Sequence, residues 1–249
     1  MFFRMPIGAL TLCCAVVAAV PLHAAGAAEL APEQRQAVES IIHDYLLQHP
    51  EVLIEAIRAA EDKVKTDASE KAKAALAARR SEIFDDPETP VGGNPKGDVT
   101  LVEFFDYRCP YCKQVQPRLQ ELLAGDHELR NAYKEFPILG SVSVAAARAA
   151  LAAQRQGKYE AFHNAMMAAF GQITEDTVYQ VADKVELDVD RLKRDMAAPQ
   201  IEAALKANHA LAEALDITGT PGFVIGDQIV PGAIELSSLK ELVTEAHRK

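Results

Sequence analysis

The sequence predicts an α/β domain with a long helical stretch set into it and a separate helical segment ahead of it. Three observations carry that expectation. Residues 99–107, VTLVEFFDY, and residues 131–140, NAYKEFPILG, read as strands flanking a helix-length stretch that opens at Pro110. Between residues 141 and 215 the apolar spacing becomes helical, and TGTPGFVIGDQIVPG then reads as a hairpin over 222–231. Residues 31–84 place apolar side chains at three- and four-residue intervals. The 249 residues, 49% of them hydrophobic, suffice for one large core plus an appendage. A formal net charge of −10 speaks against a nucleic-acid partner, whose phosphates such a surface repels.

Taken in order, the first 27 residues read as a secretory signal. Arg4 precedes an apolar run from Ile7 to Val20, and small residues around Ala25 and Ala27 suit a signal peptidase. That run is shorter than the roughly 18 to 20 residues needed to span a bilayer, and no positive cluster follows it. Leu12 ahead of Cys13 disfavours lipoprotein processing. Cleavage removes Cys13 and Cys14 and leaves Cys109 and Cys112.

Residues 28–84 are expected to form a helical oligomerisation segment with a charged spacer. Val38, Ile41, Ile42, Tyr45 and Leu46 precede Pro50, and Val52, Leu53, Ala56, Ile57 and Ala60 follow it. Two short amphipathic helices cannot bury both stripes by themselves. The following EDKVKTDASEKAKAALAARRSE reads as a solvated helix. The Pro-, Gly- and Asp-rich residues 85–98 mark the boundary of a second domain, 85–249, whose helical insertion spans about 141–215. Within it Tyr159, Phe162, Met166 and Phe170 share one helical face, and Ser238 with Glu241 has capping-box spacing in a last helix.

The chemistry centres on CPYC, residues 109–112. A strand ending at Asp106 or Tyr107 and a helix opening at Pro110 put Cys109 at the N-cap. Unpaired backbone N–H groups and the positive end of the helix dipole then favour its thiolate, which makes Cys109 the attacking sulfur. Cys112, one turn deeper, is the resolving partner. Tyr111 brings no positive charge, so a milder oxidant is expected than with histidine there. A bridge across so short a loop removes little chain entropy, so the pair points to reactivity rather than to a structural staple. Zinc would need four Cys or His ligands, and no second pair is present. Two thiolates could hold Cu(I), with Met166, Met167 and Met196 as thioethers, which keeps a copper-binding module as a non-enzymatic alternative.

VEFFDYRCPYC, KEFPILG, AARAALAAQRQGKYEAFHNAM and TGTPGFVIG together resemble the DsbA-like thiol:disulfide oxidoreductases. HDYLLQHPEVLIEAI resembles the extra region of the suppressor-of-copper-sensitivity C (ScsC) subfamily. The resemblance implies a thioredoxin fold with an inserted helical domain, a periplasmic location, and no cofactor. It implies a cis bond between Thr220 and Pro221, facing the cysteines and exposing backbone to an extended substrate. Glu103 takes the place of the family's buried acid, where it either relays protons to Cys112 or pairs with Lys134. Asp106, Tyr107 and Arg108 border the site, either tuning the thiols or lying as solvated rim. Threonine before the proline is similar to disulfide isomerases. The implied activity is a disulfide isomerase or reductase acting on unfolded or misoxidised exported proteins, kept reduced by a membrane partner and assembled as a homotrimer. A dithiol oxidase is the alternative.

Overall fold

A computed structural model describes residues 31–248, so the expected signal segment lies outside the described residues. The chain divides into two compact units, one ending at Ala60 and one beginning at Glu61.

In the first unit, α1 (Pro32–Gln48) opens with proline in its first turn, where the missing N–H costs no bond, and Gln34 Oε1 accepts from Ala31 N–H at 3.1 Å. Pro50 prevents α1 from continuing and opens α2 (Pro50–Ala78). No residue of α1 is buried, and Ile41, Ile42, Tyr45, Leu47, Leu53, Ile54 and Ile57 are exposed. Along this stretch the apolar stripe thus has no cover among the described residues.

The second unit contains the later part of α2, α3 (Arg80–Phe84), and a five-stranded sheet in the order β1-β3-β2-β4-β5. The central strand β2 (Val99–Phe105) runs parallel to β3 (Leu129–Glu135), joined by α4 (Pro110–Gly125). The hairpin of β4 (Gly222–Ile225) and β5 (Gln228–Pro231) turns through Gly226, at φ +58°, and adds β4 antiparallel to β2. Every β2 residue except Thr100 is buried, as expected for a strand covered on both faces. Leu101 packs with Val115, Leu119 and Leu122 of α4 and with Leu239 and Val243 of α10 (Leu236–Ala246); Val102 and Phe104 pack on the opposite face. Five helices, α5 (Ser141–Gln154), α6 (Tyr159–Ala168), α7 (Glu175–Lys184), α8 (Val189–Met196) and α9 (Pro199–Ala214), form the insertion around Phe162, Met166 and an alanine-rich α5.

Several expectations are corrected here. The 85–98 boundary stretch contains β1 (Val91–Gly93), which pairs antiparallel with β3; Gly93 sits at φ +66°, and a Cβ there would meet the Leu129 carbonyl at 2.6 Å. The charged spacer is not solvated throughout, because Leu76 and, just beyond α2, Ile83 join Val102 and Phe104 in the core. Phe170 lies beyond the end of α6 and is 91% exposed, because the chain turns away towards Gly171 at φ +81°. The N-cap of α10 is Glu235, so Ser238 and Glu241 sit inside the helix. Arg118 fixes that start by donating to the Ile234 carbonyl at 2.9 Å and pairing with Glu235 at 3.0 Å.

Candidate active site

The end of β2 is turned into α4 by Asp106. Its carboxylate is buried and accepts from the backbone N–H of Arg108 at 2.7 Å, of Ile138 at 2.9 Å and of Leu139 at 3.0 Å, and from Ser143 Oγ at 2.8 Å. This side-chain turn, with Cys109 N–H donating to the Asp106 carbonyl at 3.0 Å, holds Cys109 at the N-cap in extended conformation (φ −72°, ψ 119°). Arg108 also donates to the Leu139 carbonyl. Pro110 follows in the first helical turn; Tyr111 points outward, 60% exposed; Cys112 is fully buried.

Opposite stands the turn before β4. The Thr220–Pro221 bond is cis, and Cys109 Sγ lies 3.2 Å from the Thr220 carbonyl oxygen, close enough for its protonated form to donate there. The structure thus brings Cys109, Cys112, Thr220 and Pro221 together from segments more than 100 residues apart. Both cysteines are free thiols.

The two sulfurs differ electrostatically. A hydrogen bond from the Cys112 thiol, with further help from the Thr220 side chain and the backbone N–H groups of Cys112 and Tyr111, outweighs burial and pulls Cys109 down to about 5. Burial, the hydrogen bond to Cys109 and the Glu103 charge push Cys112 far up. At neutral pH the pair therefore holds one thiolate and one thiol. A thiolate at a helix N-terminus can attack a disulfide, and a neighbouring thiol can displace what it captures.

Glu103 lies on β2 beneath the pair, fully buried. Burial, then the Cys109 charge, push its carboxyl up to about 8, and neither oxygen has a hydrogen-bond partner among the described residues. The pairing with Lys134 does not form. Glu103 is opposite Tyr133 in the ladder and Phe104 is opposite Lys134, so the two side chains leave on opposite faces. Lys134 donates instead to Asp86 at 2.9 Å and to Thr89 at 2.5 Å.

Two contributors, Glu135 and Lys113, were not assigned by sequence reasoning. Asp106 and Tyr107 are buried rather than solvated rim residues. The Asp106 turn had a legible signal, an Asp three residues before a helix-opening cysteine. Glu135 accepts at Oε1 from Tyr159 at 2.7 Å as well as from Tyr107, and Lys113 donates to the Met166 carbonyl; neither had a signal, since their partners lie on the insertion. Among the described residues no group of three or more His, Cys, Asp or Glu is arranged to hold a metal, and no helix is long and apolar enough to cross a membrane.

A parallel β2–α4–β3 unit with an N-cap CxxC beside a cis-proline turn defines a thioredoxin-fold dithiol oxidoreductase. The chain belongs to the DsbA-like thioredoxin-domain family, whose model matches residues 100–244. Residues 34–65 match the copper resistance protein ScsC N-terminal domain. The crystal structure of a thioredoxin-like oxidoreductase from Silicibacter pomeroyi is 49% identical, covers 68% of this chain and 98% of its own, and superposes with a TM-score of 0.67. Proteus mirabilis ScsC in a transitional conformation is 28% identical, covers 87% of this chain and 98% of its own, and gives a TM-score of 0.65. A curated relative, a Na(+)/H(+) antiporter NhaA 1 of Salinispora arenicola, is 29% identical over 158 residues. The match takes 63% of this chain but only 24% of that protein.

Proposed function

We propose that this protein is a periplasmic disulfide isomerase or reductase acting on unfolded or misoxidised exported proteins. Cys109 attacks the client disulfide, Cys112 releases the captured client, Pro110 and Tyr111 shape the dipeptide between them, and Thr220 and Pro221 present backbone to an extended client segment. Glu103 passes protons to and from Cys112, consistent with a carboxyl that titrates at about 8 beside it. The observation that carries the reading is the split between a Cys109 thiolate held at an N-cap and a buried Cys112 thiol.

The assembly we propose is a homotrimer through the N-terminal helices, supported by the uncovered apolar stripe of α1 and early α2 and by the ScsC-type match. Several active sites around one client suit the shuffling of wrong disulfides. A membrane thiol reductase would return the pair to the dithiol form. The testing experiment is recovery of activity by a scrambled disulfide client alongside the equilibrium potential of the pair against glutathione. Recovery without added oxidant supports the isomerase; a strongly oxidising pair that recovers nothing defeats it. A dithiol oxidase is the second reading, favoured by a Cys109 at about 5, because a stable leaving thiolate makes the disulfide form more oxidising.

A further inference from the structure

Cys112 must become an anion to release a client, yet its surroundings oppose that. It is fully buried, and the Glu103 carboxyl beneath it is of the same sign when ionised. The Asp106 carboxylate nearby is already engaged by three backbone N–H groups and Ser143. The next residue in the first turn of α4, Lys113, is half-buried, and its Nζ donates to the Met166 carbonyl at 2.6 Å and the Met167 carbonyl at 3.2 Å. These are last-turn carbonyls of α6, the negative end of that helix, where an ammonium is held in place.

We propose that Lys113 is a positioning residue of the release step: anchored on the end of α6, its ammonium holds a positive charge beside Cys112 while that sulfur becomes an anion. Packing supports it first: Cys112 is buried in one cluster with Met166 and Met167, whose carbonyls hold the ammonium. Burial lowers Lys113 to about 8, opposed by attraction from Cys112 and then Asp106. Burial, and after it the charge of Lys113, lowers His163 on α6 to about 3, so the Lys113 charge is felt on the insertion. The insertion thereby becomes part of the electrostatics of exchange.

The inference rests on the exchange reading. Cys109 thiolate attacks a disulfide, an S–S bond to Cys109 forms, and the first leaving thiolate departs. Cys112 gives its proton to Glu103 or to water, and its sulfur attacks Cys109. The Cys109–Cys112 bond forms, the second thiolate departs, and two electrons have passed from the pair to the substrate.

Reduced protein mixed with the disulfide of 2-nitro-5-thiobenzoate reads both steps, one coloured thiolate from each. Lys113→Met should slow the second phase about tenfold, as expected for loss of one nearby charge at intermediate dielectric, and leave the first within about twofold. Lys113→Arg should restore the second phase. An unchanged second phase in Lys113→Met, equal slowing of both phases, or no rescue by Arg overturns the proposal. A wild-type chain that yields only one equivalent has no release step and overturns the exchange reading together with it. Circular dichroism of each variant separates loss of fold from loss of charge.

Discussion

The Tyr107 hydroxyl donates to Glu135 Oε1 at 2.9 Å with both groups buried, and Tyr159 of α6 donates to the same oxygen at 2.7 Å. One carboxyl at the end of β3 thus ties the active-site loop to the insertion. His163 Nδ1 lies 3.2 Å from the Tyr107 hydroxyl, and the Glu135 carbonyl accepts from Asn208 on α9 at 3.1 Å. Glu135→Ala leaves the buried Tyr159 phenol without its acceptor and the Tyr107 phenol with only His163 Nδ1 in reach. It should destabilise the catalytic unit by about 2–4 kcal/mol, whereas Tyr159→Phe, which removes one bond and keeps the ring, should cost about 1 kcal/mol. Urea unfolding of the reduced protein checks both.

Cys109 gives a pH signature. Its folded value of about 5 lies below the ordinary thiol value, so between those limits the unfolded chain binds more protons and stability rises with pH. The contribution is complete only above the unfolded value and is lost as pH falls through about 5. Absorbance of the thiolate should titrate with a midpoint near 5. Alkylation at neutral pH should mark Cys109 and spare Cys112. Relative to Cys109→Ser, the reduced protein should gain stability between pH 5 and 8, measured as a denaturation midpoint; equal midpoints throughout would contradict the thiolate assignment.

Glu103 works in the opposite sense. With its folded value raised to about 8, the native state holds a proton that the unfolded chain has already released, so its contribution to stability falls as pH rises from about 4.5 to 8. Glu103→Gln should flatten that fall. Replacing this buried carboxyl, which has no hydrogen-bond partner among the described residues, by Leu should stabilise the fold by about 1–3 kcal/mol. If Glu103 carries protons for Cys112, both variants should slow release of a captured client at neutral pH while leaving the first attack near its original rate.

How much of this was legible depends on the range of each interaction. β2, α4 and β3 were legible because their signals are local: a continuous apolar run, a proline in a first helical turn, a second apolar run. The placement of Cys109 at an N-cap follows from the same short range. β1 is three residues long inside a Pro- and Gly-rich stretch, and only its pairing with Ala132, Asn131 and Arg130 identifies it. The Glu103–Lys134 alternative fails on parity, a rule that needs the register of two strands and not just their presence. Glu135 and Lys113 acquire their roles from α6, 24 and 53 residues away, which no pattern within β3 or α4 encodes.

The N-terminal helices offer the separation of assembly from chemistry. Removing residues 31–84, the whole expected appendage, would also strip Leu76 and Ile83 from the core that holds Val102 and Phe104, so loss of activity would report misfolding. A cut at residue 60, where the compact units divide, removes the exposed Ile41, Ile42, Tyr45, Leu53, Ile54 and Ile57 and spares both core residues. Light scattering should then give a monomer in place of the proposed trimer. Insulin reduction per active site should stay within about twofold, since the dithiol pair lies wholly in the second unit, whereas recovery of a scrambled client should fall at least about tenfold if several sites must act on one client. An unchanged mass would remove the apolar stripe as the assembly surface. A monomer that still repairs the client at the full rate would show that a single Cys109–Cys112 pair suffices.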